Sequence, residues 1–362
     1  MANIRDVARR AQVSTATVSR VINESGFVAE DLKARVRRAM ADLNYRPNNL
    51  ARSFRQNRSF MIALMISDIS NPFFTSLVRG VEDVVKEGGL NLLLCNTDED
   101  PAKERSYVDV LIGNRIDGVI MAPTGSARES VDAFRRHGIP VVFIDRYLAG
   151  MKVDAVLLDN VSGAYQATAH LLRLGHRRVG IITGLESVST SKEREEGYRR
   201  ALADFGITPD ERLIARGNSR IEGGTRQTQT LLALPPDVRP TALFTSNNLL
   251  TVGAMRALRE AGVRVPHEMA VVGFDEFEST PIIDPPLTVV AQPTYEIGMR
   301  AAKRLFKHLS EGAEEGKPAV QRLKPQLIVR ESCGARLAGL AESTEEADCP
   351  NRSGFGSGAA TL

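Results

Sequence analysis

A short stretch near the amino terminus carries the residue types that could read DNA. The segment VSTATVSRVIN, residues 13–23, has five hydroxyl or amide side chains, five apolar ones and a single charge, Arg20. Small polar side chains let a helix lie close in the major groove, where an arginine can bond guanine through two hydrogen bonds. Ser14 and the helix start also offer N–H groups to a phosphate. This chemistry favours a DNA-reading helix; the alternative is a capped surface helix of a generic three-helix unit.

Polar and aromatic side chains also recur just after apolar runs farther along the chain. They are Asn71, Phe73 and Phe74; Asp145 and Arg146; Thr190 and Arg194; Asn247 and Asn248; Asp275; and Gln292. Ligands of open α/β sheets bind beyond the carboxyl ends of the strands. Aromatic faces with converging carboxylate, guanidinium and amide groups suit a polyhydroxyl ring, because every buried hydroxyl needs a partner. These positions predict a binding cleft for a sugar, although an Asn after a strand often serves only as a helix cap.

Motifs for catalysis or metal binding are absent from the sequence. It contains no G-x-G-x-x-G, no G-x-x-x-x-G-K-[ST] and no G-x-S-x-G. Cys95, Cys333 and Cys349 lie far apart and lack zinc spacing, so we expect reduced thiols, no metal and no cofactor. We therefore expect a binding protein without catalytic residues. A sugar-modifying enzyme is the alternative, and turnover of a sugar would reveal it.

The elements that must position these residues fall into two regions. The first 46 residues read as three helices, with Asn3 able to cap the first and Ser14 the second. Two short helices joined by a tight turn are typical of a helix-turn-helix. Residues 1–58 carry a net charge of +7, whereas the remainder carries −4. A basic head on a mildly acidic body predicts that only the head meets a polyanion.

Beyond residue 60 the pattern changes. Short apolar runs, from MIALMIS at 61–67 to MAVVGF at 269–274, alternate with segments of helical periodicity. Such alternation predicts an α/β fold of doubly wound parallel sheets, and its length predicts two lobes. We expect a helix-turn-helix head over 1–46, a hinge and linker over 47–59, a two-lobed domain over 60–333 and a disordered tail over 334–362. Without a signal segment or membrane span, we expect a cytoplasmic protein.

The chain resembles the LacI family of bacterial transcription regulators, which includes the lactose and purine repressors. IRDVARRAQVSTATVSRVIN carries the resemblance in the head, and DISNPFF, DGVIMAP, RVGIITG, GVRVPHEMAVVGFD and PPLTVVAQP extend it to about residue 333. The resemblance implies an effector domain like that of periplasmic sugar-binding proteins. It also implies pseudo-palindromic double-stranded operator DNA as a partner. The tail lacks a run of leucines that would join dimers into tetramers, so we expect a homodimer.

The resemblance assigns DNA-binding roles in the second helix. Thr15 and Ala16 occupy the base-reading pair, Thr17 and Ser19 match the phosphate-side hydroxyls, and Arg20 also contacts DNA. The full expected set in this helix is Ser14, Thr15, Ala16, Thr17, Ser19, Arg20 and Asn23. Gln12 departs from the glycine that the family commonly has at the turn.

A second DNA-binding segment is implied at residues 48–55, NNLARSFR. Eight residues are too few for a stable isolated helix, so the segment by itself reads as a linker. In the family it becomes a hinge helix that drives an apolar wedge into the minor groove. Phe54 matches the wedge position, where leucine is common. The implied contacts are Leu50, Ala51, Arg52, Phe54 and Arg55.

For the cleft, the resemblance implies a sugar-type effector. The residues that match the set of ribose-type binding proteins are Asn71, Phe73, Phe74, Asp145, Arg146, Arg194, Asn247, Asp275 and Gln292. Ser219 stands where the family often has an aromatic, which favours a larger pocket. Arg146 and Arg194 would also suit a sugar acid or sugar phosphate. The alternative is a corepressor-dependent regulator that responds to a purine or another non-sugar metabolite. Arg146 argues against a purine, because it replaces an aromatic expected of purine binders. The sign of the effector's action stays open.

Overall fold

The computed structural model describes residues 2–23, 25–45, 58–311 and 318–335. The chain divides into two units, residues 1–60 and 61–362. The predicted hinge residues Leu50, Ala51, Arg52, Phe54 and Arg55 lie outside the described residues, as does the tail beyond Ala335. Among the described helices, none combines the length and apolar character that crossing a membrane requires.

The described part of the first unit contains three helices. They are α1 (Ile4–Ala11), α2 (Thr15–Asn23) and α3 (Glu30–Asp42). Asn3 and Asp6 form a capping box at the start of α1, and Ser14 Oγ accepts a hydrogen bond from the Thr17 N–H at 3.1 Å. These caps satisfy N–H groups that the first turns leave free. The core between the helices consists of Val7, Ala8, Ala11, Val18, Val21, Val28, Val36 and Ala39.

The turn between α1 and α2 explains the glycine expected there. Gln12 has a φ of 52°, in the left-handed region that favours glycine. The Arg35 guanidinium donates to the carbonyl groups of Ala11 at 2.7 Å and Gln12 at 3.4 Å, which stabilises the turn. The Gln12 side chain is exposed, so the substitution changes the surface rather than the core.

Lobe 1 of the second unit is built on a six-stranded parallel sheet of order β11-β5-β4-β3-β1-β2. Its strands are β1 (Met61–Ile66), β2 (Asn91–Asn96), β3 (Gly118–Met121), β4 (Val141–Ile144), β5 (Asp154–Leu158) and β11 (Val320–Leu323). Its helices are α4 (Pro72–Glu87), α5 (Pro101–Gly113), α6 (Arg128–Arg136) and α11 (Thr294–Glu311). Helix α11 packs so tightly on α4 that a Cβ on Gly80 would lie 2.1 Å from the Tyr295 carbonyl oxygen.

Lobe 2 has a second six-stranded sheet, of order β12-β10-β9-β8-β6-β7. Its strands are β6 (Val179–Thr183), β7 (Ile214–Arg216), β8 (Ala242–Thr245), β9 (Ala270–Phe274), β10 (Thr288–Ala291) and β12 (Gln326–Ile328). Its helices are α7 (Asn160–Arg173), α8 (Ser189–Asp204), α9 (Ile221–Leu232) and α10 (Asn248–Glu260), with a short 3-10 helix at Glu211–Leu213. The edge strand β12 runs antiparallel to β10, which departs from the expected all-parallel pattern.

The chain passes between the lobes after β5, after β10 and after β11. Apart from the edge strand, the predicted doubly wound, two-lobed α/β fold is confirmed. Every strand predicted from an apolar run is present, and β7, β10, β11 and β12 are additional. The crossovers bring the carboxyl ends of both sheets to face one cleft, where ligands of parallel sheets bind.

Candidate functional site

A cavity of about 650 Å³, counting its opening to solvent, lies in this cleft. All the predicted effector residues except Asn248 line it: Asn71, Phe73, Phe74, Asp145, Arg146, Thr190, Arg194, Ser219, Asn247, Asp275 and Gln292. The expectation that ligands bind beyond the carboxyl ends of the strands, called here the strand-end rule, therefore identified residues that lie far apart in the sequence and meet at one cavity.

The start of α4 forms one wall of the cavity. Asn71 caps the helix by accepting the Phe73 N–H at 2.9 Å, and Pro72 occupies the first turn. This cap directs Phe73 and Phe74 into an edge-to-face pair with ring centroids 4.9 Å apart. The same Asn71 oxygen accepts the Asn248 amide of lobe 2 at 2.8 Å. Asn248 thus joins the lobes beside the cavity without lining it.

A buried ion network lies at the end of β4. Arg146 donates through Nη1 to both Glu99 oxygens, at 2.9 and 2.8 Å, and through Nε to Asp145 at 3.0 Å. Burial alone would lower the pKa of Arg146, but the charges of Glu99 and Asp145 outweigh it and raise the pKa above its ordinary value. The guanidinium therefore stays charged.

Sequence reasoning missed Glu99, although a signal was present. Glu99 follows the apolar run LNLLLC that forms β2, and it therefore lies beyond the carboxyl end of a strand, as the predicted residues do. Other lining residues absent from the predicted set are Ser67, Asp68, Gly184, Val188, Ser191, Asn218, Arg220, Ser246 and Leu249.

Arg194 enters the cavity from α8 of lobe 2. Its Nε donates to Asn160 at 2.8 Å, its Nη1 donates to the Ser246 carbonyl at 2.5 Å, and its guanidinium lies 3.8 Å from the Phe274 ring centroid. Burial lowers the pKa of Arg194, and the charge of Asp275 opposes this. The stacking and hydrogen bonds hold the guanidinium at the cavity wall.

Asp275 occupies the end of β9. It accepts Gln292 Nε2 at 2.5 Å and the Asn248 N–H at 3.4 Å. Burial raises the pKa of this carboxyl, and Arg194 partly offsets the rise. Asp275 has a φ of 74° and Asp145 a φ of 63°, so both lobes place an aspartate in the left-handed region at a strand end. Such sparsely populated backbone conformations concentrate at ligand sites.

Ser219 and Asn247 form the remaining polar wall. Asn247 caps α10 through a 2.7 Å bond from the Leu250 N–H and donates its amide to the Ser219 carbonyl at 3.0 Å. Ser219 Oγ also accepts the Leu185 N–H at 3.2 Å. Asn247 thus acts as a helix cap as well as a cavity residue.

The second candidate site is the outer face of α2. Ser14, Thr15, Ala16 and Arg20 are exposed, Thr17, Ser19 and Asn23 are partly buried, and Val18 and Val21 face the core. Asn23 donates its amide to the Ser19 carbonyl at 2.7 Å and to the Ser19 hydroxyl at 3.1 Å. The exposed face is therefore small and polar with a single cation, as close approach to DNA requires. The DNA-binding role of each residue stays a prediction.

The fold and these two sites define a helix-turn-helix regulator with a two-lobed binding domain. Residues 3–48 match the family described as bacterial regulatory proteins of the lacI family, and residues 59–326 match the periplasmic binding proteins and sugar binding domain of the LacI family. The chain belongs to the LacI family.

Relatives of this chain include repressors and a solved repressor–operator complex. The chain is 36% identical to the transcriptional repressor PurR of Actinobacillus pleuropneumoniae and 33% identical to the ribose operon repressor of Haemophilus influenzae, each over 92% of this chain and 98% of the relative. Among solved structures, the transcriptional regulator CelR–cellobiose complex matches with a TM-score of 0.69 at 32% identity over 92% of this chain and 100% of CelR. The Lac repressor dimer bound to operator and the anti-inducer ONPF matches with a TM-score of 0.80 at 26% identity, over 92% of this chain and 99% of that one. The protein is a ligand-controlled, DNA-binding transcriptional repressor.

Proposed function

We propose that a sugar in the cleft between the lobes controls the operator affinity of this repressor. The observation that carries the proposal is the convergence of Asp145, Arg146, Arg194, Asp275 and Gln292 on one cavity beside aromatic rings. A sugar hydroxyl both donates and accepts, so it needs carboxylate or amide oxygens together with N–H donors. The faces of Phe73 and Phe74 suit the apolar face of the ring.

The proposed effector set has distinct roles. Asp275 and Asp145 accept sugar hydroxyls, since each carboxylate retains free acceptor capacity beyond its present bonds. Arg194 donates from its guanidinium, and Gln292 orients Asp275. The polar boundary is completed by Asn71, Thr190, Ser219 and Asn247. Asn248 supports it from beside the cavity through its bond to Asn71. The ribose operon repressor relative and the CelR–cellobiose complex support a sugar as the class of effector.

At the DNA, we propose that α2 reads base edges through Thr15, Ala16 and Arg20 in the major groove. Two heads of a homodimer would then meet the half-sites of a pseudo-palindromic operator. The proposed division is a head over residues 1–46, a hinge over 47–59 and an effector domain over 60–333. The repressor would act in the bacterial cytoplasm, where it would bind DNA of the nucleoid.

The experiment that tests the proposal measures thermal stability with D-ribose, cellobiose and guanine in turn. A ligand at about 100 times its dissociation constant should add about 2.7 kcal/mol of stability, visible as a rise in melting temperature. Fluorescence anisotropy on an operator selected from random duplexes then shows whether the ligand changes DNA affinity. Stabilisation and a change in DNA affinity by a sugar support the proposal. Binding of the sugars without any effect on DNA would overturn it.

A second candidate effector is a purine that acts as corepressor. The 36% identity to the repressor named PurR favours it. The buried Arg146 opposes it, because a guanidinium bound in its plane to two carboxylates stands where an aromatic ring would stack on a base. Stabilisation by guanine alone, with tighter operator binding, would favour this candidate over the sugar.

A further inference from the structure

Glu99 is held in the cleft by an unusual turn. Asp98 and Glu99 have φ values of 54° and 61°, so two successive residues other than glycine occupy the left-handed region. The Asp98 carboxylate accepts Asn96 Nδ2 at 2.8 Å and Lys103 Nζ at 2.5 Å, while Asp100 caps α5. These bonds on either side of Glu99 fix the turn that points its carboxylate at Arg146.

The Glu99–Arg146 pair is shielded from solvent. The exposed fraction of the side chain is 9% for Arg146 and 20% for Glu99, so solvent screens their attraction only weakly. Asp145 binds the Nε of the same guanidinium. Arg146 therefore presents no uncompensated positive charge to a ligand. This contrasts with the sequence-based expectation that its guanidinium would suit a phosphate or carboxylate group.

The cavity as a whole carries no excess of positive charge. Four carboxylates line the cavity, on Asp68, Glu99, Asp145 and Asp275, against three guanidinium groups, on Arg146, Arg194 and Arg220. A ligand anion would meet at least as many negative as positive groups. Sites that select phosphate or carboxylate present the opposite excess.

We infer that Glu99 sets the charge selectivity of this cleft by neutralising Arg146, so that uncharged sugars bind and sugar phosphates and sugar acids are rejected. An anionic group that approached Arg146 would have to displace the Glu99 carboxylate or lie beside it, and like charges at such a distance repel strongly. The inference rests on the proposed function, because it concerns the ligand of the same cleft.

The test compares binding of D-ribose and D-ribose 5-phosphate to the full-length protein by isothermal titration calorimetry. Glu99→Gln keeps an oxygen and the length of the side chain but removes the charge, so affinity for D-ribose 5-phosphate should rise about tenfold or more. Glu99→Asp retains the charge and should retain the rejection. Asp109→Asn, the control, removes one negative charge from an exposed residue of α5 that does not line the cavity.

The outcomes separate this inference from the proposed function. A gain for D-ribose 5-phosphate in Glu99→Gln, absent from Glu99→Asp and Asp109→Asn, supports the inference even if D-ribose fails to bind. No gain, or an equal gain in Asp109→Asn, overturns it whether or not D-ribose binds. Circular dichroism and the melting temperature of each variant establish that the fold is retained. Failure of every neutral sugar to bind the parent protein would count against the proposed effector instead.

Discussion

Glu193 and Arg322 form a 2.6 Å ion pair between the two lobes. Glu193 lies on α8 of lobe 2, whereas Arg322 lies on β11 in the sheet of lobe 1. The other Glu193 oxygen accepts the Asn160 amide at 2.9 Å, and Asn160 in turn accepts Arg194 Nε. A continuous chain of hydrogen bonds thus connects the cavity wall to the opposite lobe.

From these connected hydrogen bonds we predict that loss of the Glu193–Arg322 ion pair weakens effector binding as well as the stability of the fold. In a double-mutant cycle with Glu193→Gln and Arg322→Gln, urea unfolding should give a coupling of about 1 kcal/mol. Solvent screens the pair, since Arg322 is 36% exposed, so the coupling should lie below that of a fully buried pair. Effector affinity should fall about tenfold in Glu193→Gln, because Asn160 loses its charged partner and then holds Arg194 less firmly.

The matched control is the 2.8 Å ion pair between Glu195 and Arg199, both on α8. Glu195→Gln removes a charge from the same helix without touching Arg322. Its effector affinity should equal that of the parent protein. An equal loss in both variants would show that the helix, rather than the interlobe chain, is responsible.

Asp275→Ala should abolish the effector response and leave the operator affinity of the ligand-free protein unchanged. The carboxylate is buried at the cavity and accepts the Gln292 amide, so its loss removes a hydroxyl acceptor and leaves that amide without this partner. Anisotropy on operator DNA, with and without the effector, measures both quantities. Glu278→Gln removes an exposed charge from the following loop and should behave as the parent. A variant that unfolds at room temperature would instead mark Asp275 as structural.

Arg20→Ala should weaken binding to the best operator by about 1–3 kcal/mol and relax the preference at one base pair. The physical reason is the loss of two hydrogen bonds from an exposed guanidinium to a guanine edge. Anisotropy against a set of single-base operator variants measures both effects. Arg37→Ala removes the same charge from an exposed position on α3 and should leave the preference intact. Equal weakening on all duplexes would mean that Arg20 contacts phosphate only.

The stability contributed by His176 should fall as the pH drops below about 6.5. His176 is half-buried beside Thr241 Oγ1 at 3.0 Å, and burial lowers its pKa from the ordinary 6.5. The unfolded chain therefore binds the proton more tightly than the folded protein does. The stability that neutral His176 contributes is complete at a pH above its pKa in the unfolded chain. It is lost as the pH falls toward the lower pKa in the folded protein. The expected slope is up to about 1.4 kcal/mol per pH unit.

Urea unfolding of the parent and of His176→Gln between pH 7.5 and 5.5 measures this contribution as a difference. The difference is needed because burial raises the pKa of Asp275, and that carboxyl shifts stability in the opposite direction over acidic pH. His170 has a pKa lowered by burial too, but it is present in both proteins and cancels. Parallel profiles for the two proteins would contradict the prediction.

Local patterns in the sequence were sufficient for the three helices of the head and for eight of the twelve described strands. Alternating apolar runs predicted the strands, and the strand-end rule found Asp145 and Asp275 because a parallel sheet places successive carboxyl ends at one edge. Capping residues such as Asn3 and Ser14 were recognised because a cap depends on residues within one helical turn. The small polar face of α2 was likewise visible, since helical periodicity alone separates it from Val18 and Val21.

Pairings between distant residues were decided only by the tertiary structure. Arg146 lies 47 residues from Glu99, and Arg322 lies 129 residues from Glu193. The first pair depends on a left-handed turn after β2, and the second on the return of the chain to lobe 1 as β11. The hydrophobic periodicity of a sequence does not indicate in which lobe a strand lies after a crossover, or which two side chains meet across a cleft. The sequence by itself therefore determined eleven of the residues that line the cavity. The fold decided which of their charges are already neutralised, because that depends on partners brought together only by long-range packing.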